Sequence, residues 1–234
     1  MLREIAHFLV GAPSALWLKA TRPQFDLYDT LMARADQAGL AAWRRELTRG
    51  LAGEVLEIGA GTGLMFPHYD EGLRVTAVEP DEAFRARAAK RAEEAKARIA
   101  LTGGSAEALP FESGRFDAVL LSLVLCSVTS VPEVLREIAR VVRPGGEVRL
   151  IEHVRSEDPR VGKLMDLVDP LWLRLNQQGC HLNRPTEALL GEAGFTLREA
   201  RPFQVFALGM PAFPMRYLRA APPAPPAPPA PPAG

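Results

Sequence analysis

Apolar and polar positions change rhythm along this chain at residue 55. Upstream, Leu2, Ile5, Phe8, Leu9, Ala12, Leu16 and Trp17 alternate at helical spacing with Arg3, Glu4, His7 and Lys19; Phe25, Tyr28, Leu31 and Met32 continue the pattern. This spacing predicts amphipathic helices over residues 1–20, broken at Pro13, over 24–38, and over 40–51 around Trp43. From Val55 onward, short apolar runs at 55–58, 73–78, 98–102, 116–121 and 147–154 alternate with helical patterns at 80–97 and 134–142. Strands alternating with helices bury a mostly parallel sheet between two helical layers, so the pattern predicts an α/β, doubly wound domain. An apolar helical stretch at 158–176, interrupted by Pro170, follows the fifth run, and a short helix is predicted at 186–193. Residues 221–234 repeat Pro-Pro-Ala, a density of proline that excludes helix and sheet and favours a solvated polyproline rod.

Composition narrows the function classes. A chain of 234 residues, 47% of them hydrophobic, supports one domain with a sizeable core. Lys+Arg and Asp+Glu both number 28, so no overall charge draws nucleic acid. Two cysteines, Cys126 and Cys180, make no disulfide framework, which points to a reducing cytoplasm. His7, His68, His153 and His181 show no metal-ligand spacing, and no metal is expected. No stretch reaches the roughly 18 to 20 apolar residues that span a bilayer, and Arg3 beside Glu4 makes a poor signal-peptide start. Residues 1–20 leave two readings open. One is a lid over an acceptor pocket; the other is a helix in a membrane interface, Trp17 at the headgroups and Lys19 and Arg22 toward anionic lipid. The expected layout is an amphipathic segment at 1–22, a folded domain at 23–210 and a proline-rich tail at 211–234.

The candidate chemistry starts where the first run ends. Val55-Leu56-Glu57-Ile58 leads into Gly59-Ala60-Gly61-Thr62-Gly63, which reads as a buried strand, a tight loop and then a helix. Glycine lets a backbone approach a ligand closely. Glu79 closes the second run, 20 residues after Gly59; an acid at that strand end faces the cleft and accepts hydrogen bonds from both hydroxyls of a ribose. A dinucleotide loop would read G-x-G-x-x-G, whereas this one reads E-x-G-x-G-x-G and has no Walker lysine. Loop and acid together point to a nucleoside.

These residues resemble the first motif of the class I S-adenosylmethionine-dependent methyltransferases. The resemblance implies a Rossmann-like, seven-stranded sheet with helices on both faces and S-adenosyl-L-methionine as cofactor. It sets Glu57, Gly59, Ala60, Gly61 and Gly63 around the methionyl end, and Glu79 with Pro80 at the ribose. Residues 103–111 resemble the third motif, which implies Ser105, Ala106 and Glu107 at the adenine; the family usually has aspartate where Ser105 stands. Leu121 and Ser122, at the end of the fourth strand, are expected beside the methyl group. Residues 194–197 and 204–208 resemble the family's last two strands, an antiparallel edge. Residues 123–128, Arg143-Pro144-Gly145-Gly146, Glu152-His153-Val154 and residues 179–186 narrow the likeness to the membrane-associated thiol S-methyltransferases. The core also resembles ubiquinone-type C-methyltransferases and phospholipid N-methyltransferases. The implied partner is a small lipophilic acceptor, thiol or amine, with peripheral membrane contact through residues 1–20 and no nucleic acid.

Methyl transfer needs an acceptor lone pair in line with the methyl carbon, and a base where the acceptor is protonated. His153, at the end of the fifth strand, is the candidate base, and a ring that merely bonds a neighbouring element is the other reading. Tyr28 is the candidate shaper of the acceptor pocket, with plain core packing as the alternative. Asp166 and Asp169 either orient His153 or solvate the inserted helix. Cys126 reads as an inert pocket-wall thiol with no paired base, and Cys180 and His181, being adjacent, are expected to point different ways.

Overall fold

A computed structural model describes residues 27–175, 179–207 and 213–224. Within them, β1 (Glu54–Ile58), β2 (Arg74–Val78), β3 (Arg98–Thr102), β4 (Phe116–Ser122), β5 (Val142–His153), β6 (Thr196–Gln204) and β7 (Pro214–Ala221) form one sheet. Their order is β3-β2-β1-β4-β5-β7-β6. All pairings are parallel except those of β7, which runs antiparallel to β5 and to β6. The order reverses between β1 and β4, so the carboxyl ends of these two strands open a crevice.

The helices are α1 (Leu27–Ala35), α2 (Ala41–Thr48), α3 (Glu82–Glu93), α4 (Val131–Val141), α5 (Pro159–Leu175) and α6 (Thr186–Glu192). Asp81 caps α3 by accepting the Phe84 N–H, and Ser130 caps α4 through the Glu133 N–H. One core layer joins Val134, Leu135 and Ile138 of α4 to Val119, Leu121 and Leu150 of the sheet. On the opposite face, Leu47 of α2 packs with Phe66, Tyr69, Leu120 and Tyr217.

Two expectations are corrected. The glycine loop is not followed by an α-helix: a 3-10 turn, Phe66–His68, stands there. Pro67 lacks an amide donor, and Phe66 and Tyr69 are fully buried on either side, which fixes a short turn instead of a helix. The helix expected over 24–38 is present in its described part: α1 ends at Ala35, residues 36–38 keep helical backbone angles, and Gly39, with φ of 121°, makes the break before α2. Finally, the sheet does not end near 208. Strand β6 extends to Gln204 and β7 ends at Ala221, so the domain boundary at 210 moves past the last strand and Ala221 belongs to the sheet. Arg216 and Arg219 break the apolar pattern of β7, and that hides it in the sequence. Both are paired: Arg216 with Glu157 and Glu187, and Arg219 with Glu147 and Glu199.

The lid or membrane helix expected over residues 1–20 and the Pro-Pro-Ala repeat from 225 lie outside the described residues. Among the described residues, no helix is long and apolar enough to cross a membrane.

Candidate active site

At the crevice, the amides of Gly59 and Ala60 both donate to the Val78 carbonyl, at 2.8 and 3.0 Å, clipping the end of β1 to the end of β2. Gly59, Gly61 and Gly63 all take positive φ, at 69°, 57° and 83°. A Cβ on Gly59 would stand 2.6 Å from Val124 Cγ2, and one on Gly63 would stand 2.8 Å from the Phe66 ring. Gly61 differs: the nearest atom to its missing Cβ is the Tyr28 hydroxyl at 3.4 Å. The outer glycines are therefore demanded by packing, and the middle one leaves its backbone facing the cleft.

Glu79, just past β2, is buried with its carboxylate turned to this loop. Its Oε2 accepts the Gly61 N–H at 2.8 Å and its Oε1 the Asp81 N–H at 3.0 Å. Each oxygen keeps a further lone pair, so the group fits a vicinal diol while holding the loop. Glu57 is also buried and accepts the Tyr69 hydroxyl at 2.8 Å. Burial pushes its carboxyl up to about 8, against the pull of that hydrogen bond. Burial likewise lifts the Tyr28 hydroxyl to about 12, with the Arg44 guanidinium opposing, so it is a donor at neutral pH.

Contacts that the sequence did not announce tie the N-terminal helices to this crevice. Thr62 Oγ1 donates to Asp29 of α1 at 2.6 Å, and Arg91 pairs with Asp29 at 3.2 Å. Arg44 pairs with Asp36 and donates to Ser122 Oγ at 3.1 Å. Long-range pairs of this kind have no spacing signature in one chain.

The remaining expected contacts divide. Ala60 and Ala106 are buried beside the crevice, and Leu121 is fully buried in the core, so only its backbone reaches the strand end. The Pro80 carbonyl accepts from Arg85 at 2.6 Å. Ser105 bonds to the Glu107 carboxylate, which in turn accepts the Thr129 N–H at 2.9 Å and the Ser130 N–H at 3.4 Å ahead of α4. Glu107 is thus occupied with the loop that starts α4.

The second half of the site contradicts the reading of Cys126 as a thiol with no paired base. Cys126 Sγ lies 3.7 Å from Cys180 Sγ, and Cys180 Sγ lies 3.6 Å from His153 Nδ1 and 3.5 Å from its Nε2. His153 Nε2 is bonded to the His181 carbonyl. Burial alone would lower the His153 ring, but the Cys126 sulfur beside it reverses this and holds it at about 9. The hydrogen bond from Cys180 holds the Cys126 thiol well below its ordinary range, and the same bond raises Cys180.

Two buried carboxylates fix the loops that carry these groups. Glu152 accepts the amides of Val124 and Leu125 at 2.9 Å and that of Cys126 at 3.4 Å. This clamp holds Leu123 at φ of 64°, a left-handed conformation that leucine rarely adopts. Asp169 of α5 accepts the Leu182 amide at 2.6 Å and bonds His181 Nδ1 at 2.9 Å. Of the two readings of Asp166 and Asp169, orientation of His153 is ruled out: Asp169 holds His181, and Asp166 pairs with Arg155. Cys180 and His181 do point different ways, the sulfur to Cys126 and the imidazole to Asp169.

A profile described as a methyltransferase domain matches residues 56–150. Thiol S-methyltransferase TMT1B of Rattus norvegicus is 34% identical over 184 residues, covering 73% of this chain and 74% of that protein. Thiol S-methyltransferase TMT1A of Homo sapiens is 35% identical over 147 residues, 61% of this chain, and the match spans 59% of the human protein. In three dimensions, the YcgJ protein of Bacillus subtilis superposes with a TM-score of 0.61 at 18% identity, covering 80% of this chain and 98% of that one, a likeness of fold. The chain belongs to the class I S-adenosylmethionine-dependent methyltransferases, with S-adenosyl-L-methionine as its cofactor. Within that class, its long match is to the thiol S-methyltransferases named above.

Proposed function

We propose that this methyltransferase methylates a small lipophilic thiol. The carrying observation is the extent of the likeness to the rat thiol S-methyltransferase, which at 184 matched residues is longer than the methyltransferase profile's match to residues 56–150. Bound S-adenosyl-L-methionine supplies an electrophilic methyl group. The chain's own residues do the rest by placement. Glu79 takes the ribose hydroxyls and Glu57 faces the methionyl ammonium. The backbone of Gly59, Ala60, Gly61 and Gly63 makes room for the methionyl end, with Pro80 flanking the ribose. Ser105, Ala106 and Glu107 edge the adenine, Ser105 through its backbone because its hydroxyl is already bonded to Glu107. Ser122 and the Leu121 backbone border the reacting methyl, and Tyr28, protonated, covers the loop and excludes water.

His153 is 3% exposed and its ring already faces the His181 carbonyl and the Cys180 sulfur. We therefore assign it to the sulfur cluster instead of direct contact with the acceptor. On helix α5, Leu164, Leu167 and Leu171 are exposed by 47, 77 and 60%, an apolar stripe that supports collecting a lipophilic acceptor at a membrane surface. A peripheral position on the cytoplasmic face of a membrane suits that supply and the reduced thiols.

The test is transfer of labelled methyl from S-adenosyl-L-methionine into a panel of aliphatic thiols, phosphatidylethanolamine and quinone precursors. Label in the thiols is expected. Label confined to the phospholipid amine or to quinone carbon overturns the thiol reading, and no label in any acceptor points to a cofactor-binding partner protein instead.

A further inference from the structure

Cys126, Cys180 and His153 come from three separate loops or strand ends, yet their ligand atoms all lie within 4.8 Å of one another. Cys126 and His153 are almost completely buried. For a tetrahedral zinc ion, with Zn–S near 2.3 Å and Zn–N near 2.0 to 2.1 Å, two bound sulfurs stand about 3.8 Å apart and a sulfur and a nitrogen about 3.5 Å apart. The observed separations are 3.7 Å between sulfurs, and 3.6 and 3.5 Å from Cys180 Sγ to His153 Nδ1 and Nε2.

A bare thiol pair in hydrogen-bond contact would show a similar sulfur separation, so the surroundings decide between them. His153 Nε2 is bonded to a backbone carbonyl, so Nδ1 is the ring nitrogen left for an ion; the Cys180 sulfur stands beside the ring, 3.6 Å from Nδ1 and 3.5 Å from Nε2. A ligating histidine keeps an outer hydrogen bond of this kind on its second nitrogen. Both cysteine-bearing loops are pinned by buried carboxylates, Glu152 for Cys126 and Asp169 for the 180–182 turn. Neither carboxylate is spent on the cluster itself, so both orient the ligands from behind.

We propose that Cys126, His153 Nδ1 and Cys180 bind a zinc-class divalent cation, and that its fourth position takes the sulfur of the acceptor thiol. Among the described residues the ligand group ends at three, the count that leaves a tetrahedral ion one exchangeable place. When the acceptor binds, its S–H bond breaks, a metal–sulfur bond forms and the proton passes to solvent; zinc changes no oxidation state. The acceptor is held as a thiolate at neutral pH without a side-chain base. The site also adjoins the cofactor loop, since Val124, two residues before Cys126, packs against Gly59. The identity of the fourth ligand rests on the thiol reading above, whereas the three-residue site does not.

The test uses the full-length reduced protein, with metal content measured by mass spectrometry and affinity by competition against a chromophoric chelator. About one zinc per chain is expected, together with thiolate-to-cobalt charge-transfer bands when cobalt replaces zinc. Cys180→Ser and His153→Ala should each weaken binding by more than about 100-fold, beyond the usual cost of losing an outer-shell partner. Cys180→His keeps a ligating atom and should retain the ion, which separates loss of a ligand from loss of fold. Adding 2-mercaptoethanol should shift the cobalt bands of the wild type. Unshifted bands overturn the fourth-ligand assignment, and failure of the reduced protein to take up zinc overturns the site. Zinc-free protein that methylates thiols at an unchanged rate also overturns the inference, while leaving the proposed function standing.

Discussion

The glycine loop with Glu79 and the cluster of Cys126, His153 and Cys180 touch through Val124 and Gly59, yet they are built in opposite ways. The first is local: one strand, one turn and the end of the neighbouring strand supply it, and its ligand-facing groups are mostly backbone. The second is assembled from residues far apart in sequence, and side chains do the work. A backbone site is fixed by conformation, so it needs glycine at positive φ and little else. A side-chain cluster needs its loops held from outside, and here two buried carboxylates hold them. The two halves should accordingly fail separately.

The largest effect is expected at the backbone half. Glu79→Ala removes the carboxylate proposed to take the ribose hydroxyls and leaves the Gly61 and Asp81 amides without their acceptor, an expected loss of about 3 kcal/mol or roughly 100-fold in cofactor Kd. Gly61→Val should match it, because a β-branched residue resists φ of 57° and would meet the Tyr28 hydroxyl. Calorimetric titration of the cofactor checks both, and the reactivity of Cys180 toward a thiol reagent should stay unchanged in Glu79→Ala. If that reactivity moves with cofactor affinity, the halves are one unit and the contrast fails.

Next in size is a pH effect from the buried acid in β1. The folded pKa of Glu57 is about 8, above the ordinary carboxylate range, so the fold retains a proton that the unfolded chain has already lost. Stability of the cofactor-free protein should therefore fall as pH rises from the ordinary carboxylate range toward 8. Urea unfolding of Glu57→Gln should show a shallower decline over that window, and an identical slope would remove Glu57 as its source.

A smaller effect tests the outer support of the sulfur half. Asp169→Asn keeps the size of the side chain but weakens its bonds to Leu182 and His181, a change of about 1 kcal/mol. Labelling of Cys180 should speed up about fivefold, with cofactor binding unaltered. Smallest is Ser105→Ala. Among the described residues its hydroxyl bonds only to Glu107, at an exposed turn, so stability and cofactor affinity should stay within about 0.5 kcal/mol of the wild type.

What could be read from the sequence follows the same division. The strand runs, the E-x-G-x-G-x-G loop and the acid 20 residues past Gly59 all carry their signal in spacing, and the alternation of strand and helix led to the doubly wound sheet. The cluster gave no such signal. No spacing rule links Cys126, His153 and Cys180, and only the adjacency of β4 to β5 and the return of the 179–182 segment bring them together. The expectation of no metal weighed only histidine ligands near each other in sequence, whereas the proposed ion draws on ligands brought together by the fold. Strand β7 was missed for a different reason: its arginines are paired with carboxylates from other elements, so charge in the sequence does not mean exposure in the fold.

That strand has a consequence for how the molecule comes into being. Of the seven described strands a ribosome releases β7 last, yet its place is in the interior of the sheet, where it zips to residues 148–153 on one side and to most of β6 on the other. Until Ala221 has emerged, the nascent chain holds His153 on a strand with an open flank. The glycine turn and its partner strand already have every neighbour they need. Synthesis thus completes the nucleoside cradle well before it closes the wall that carries the sulfurs.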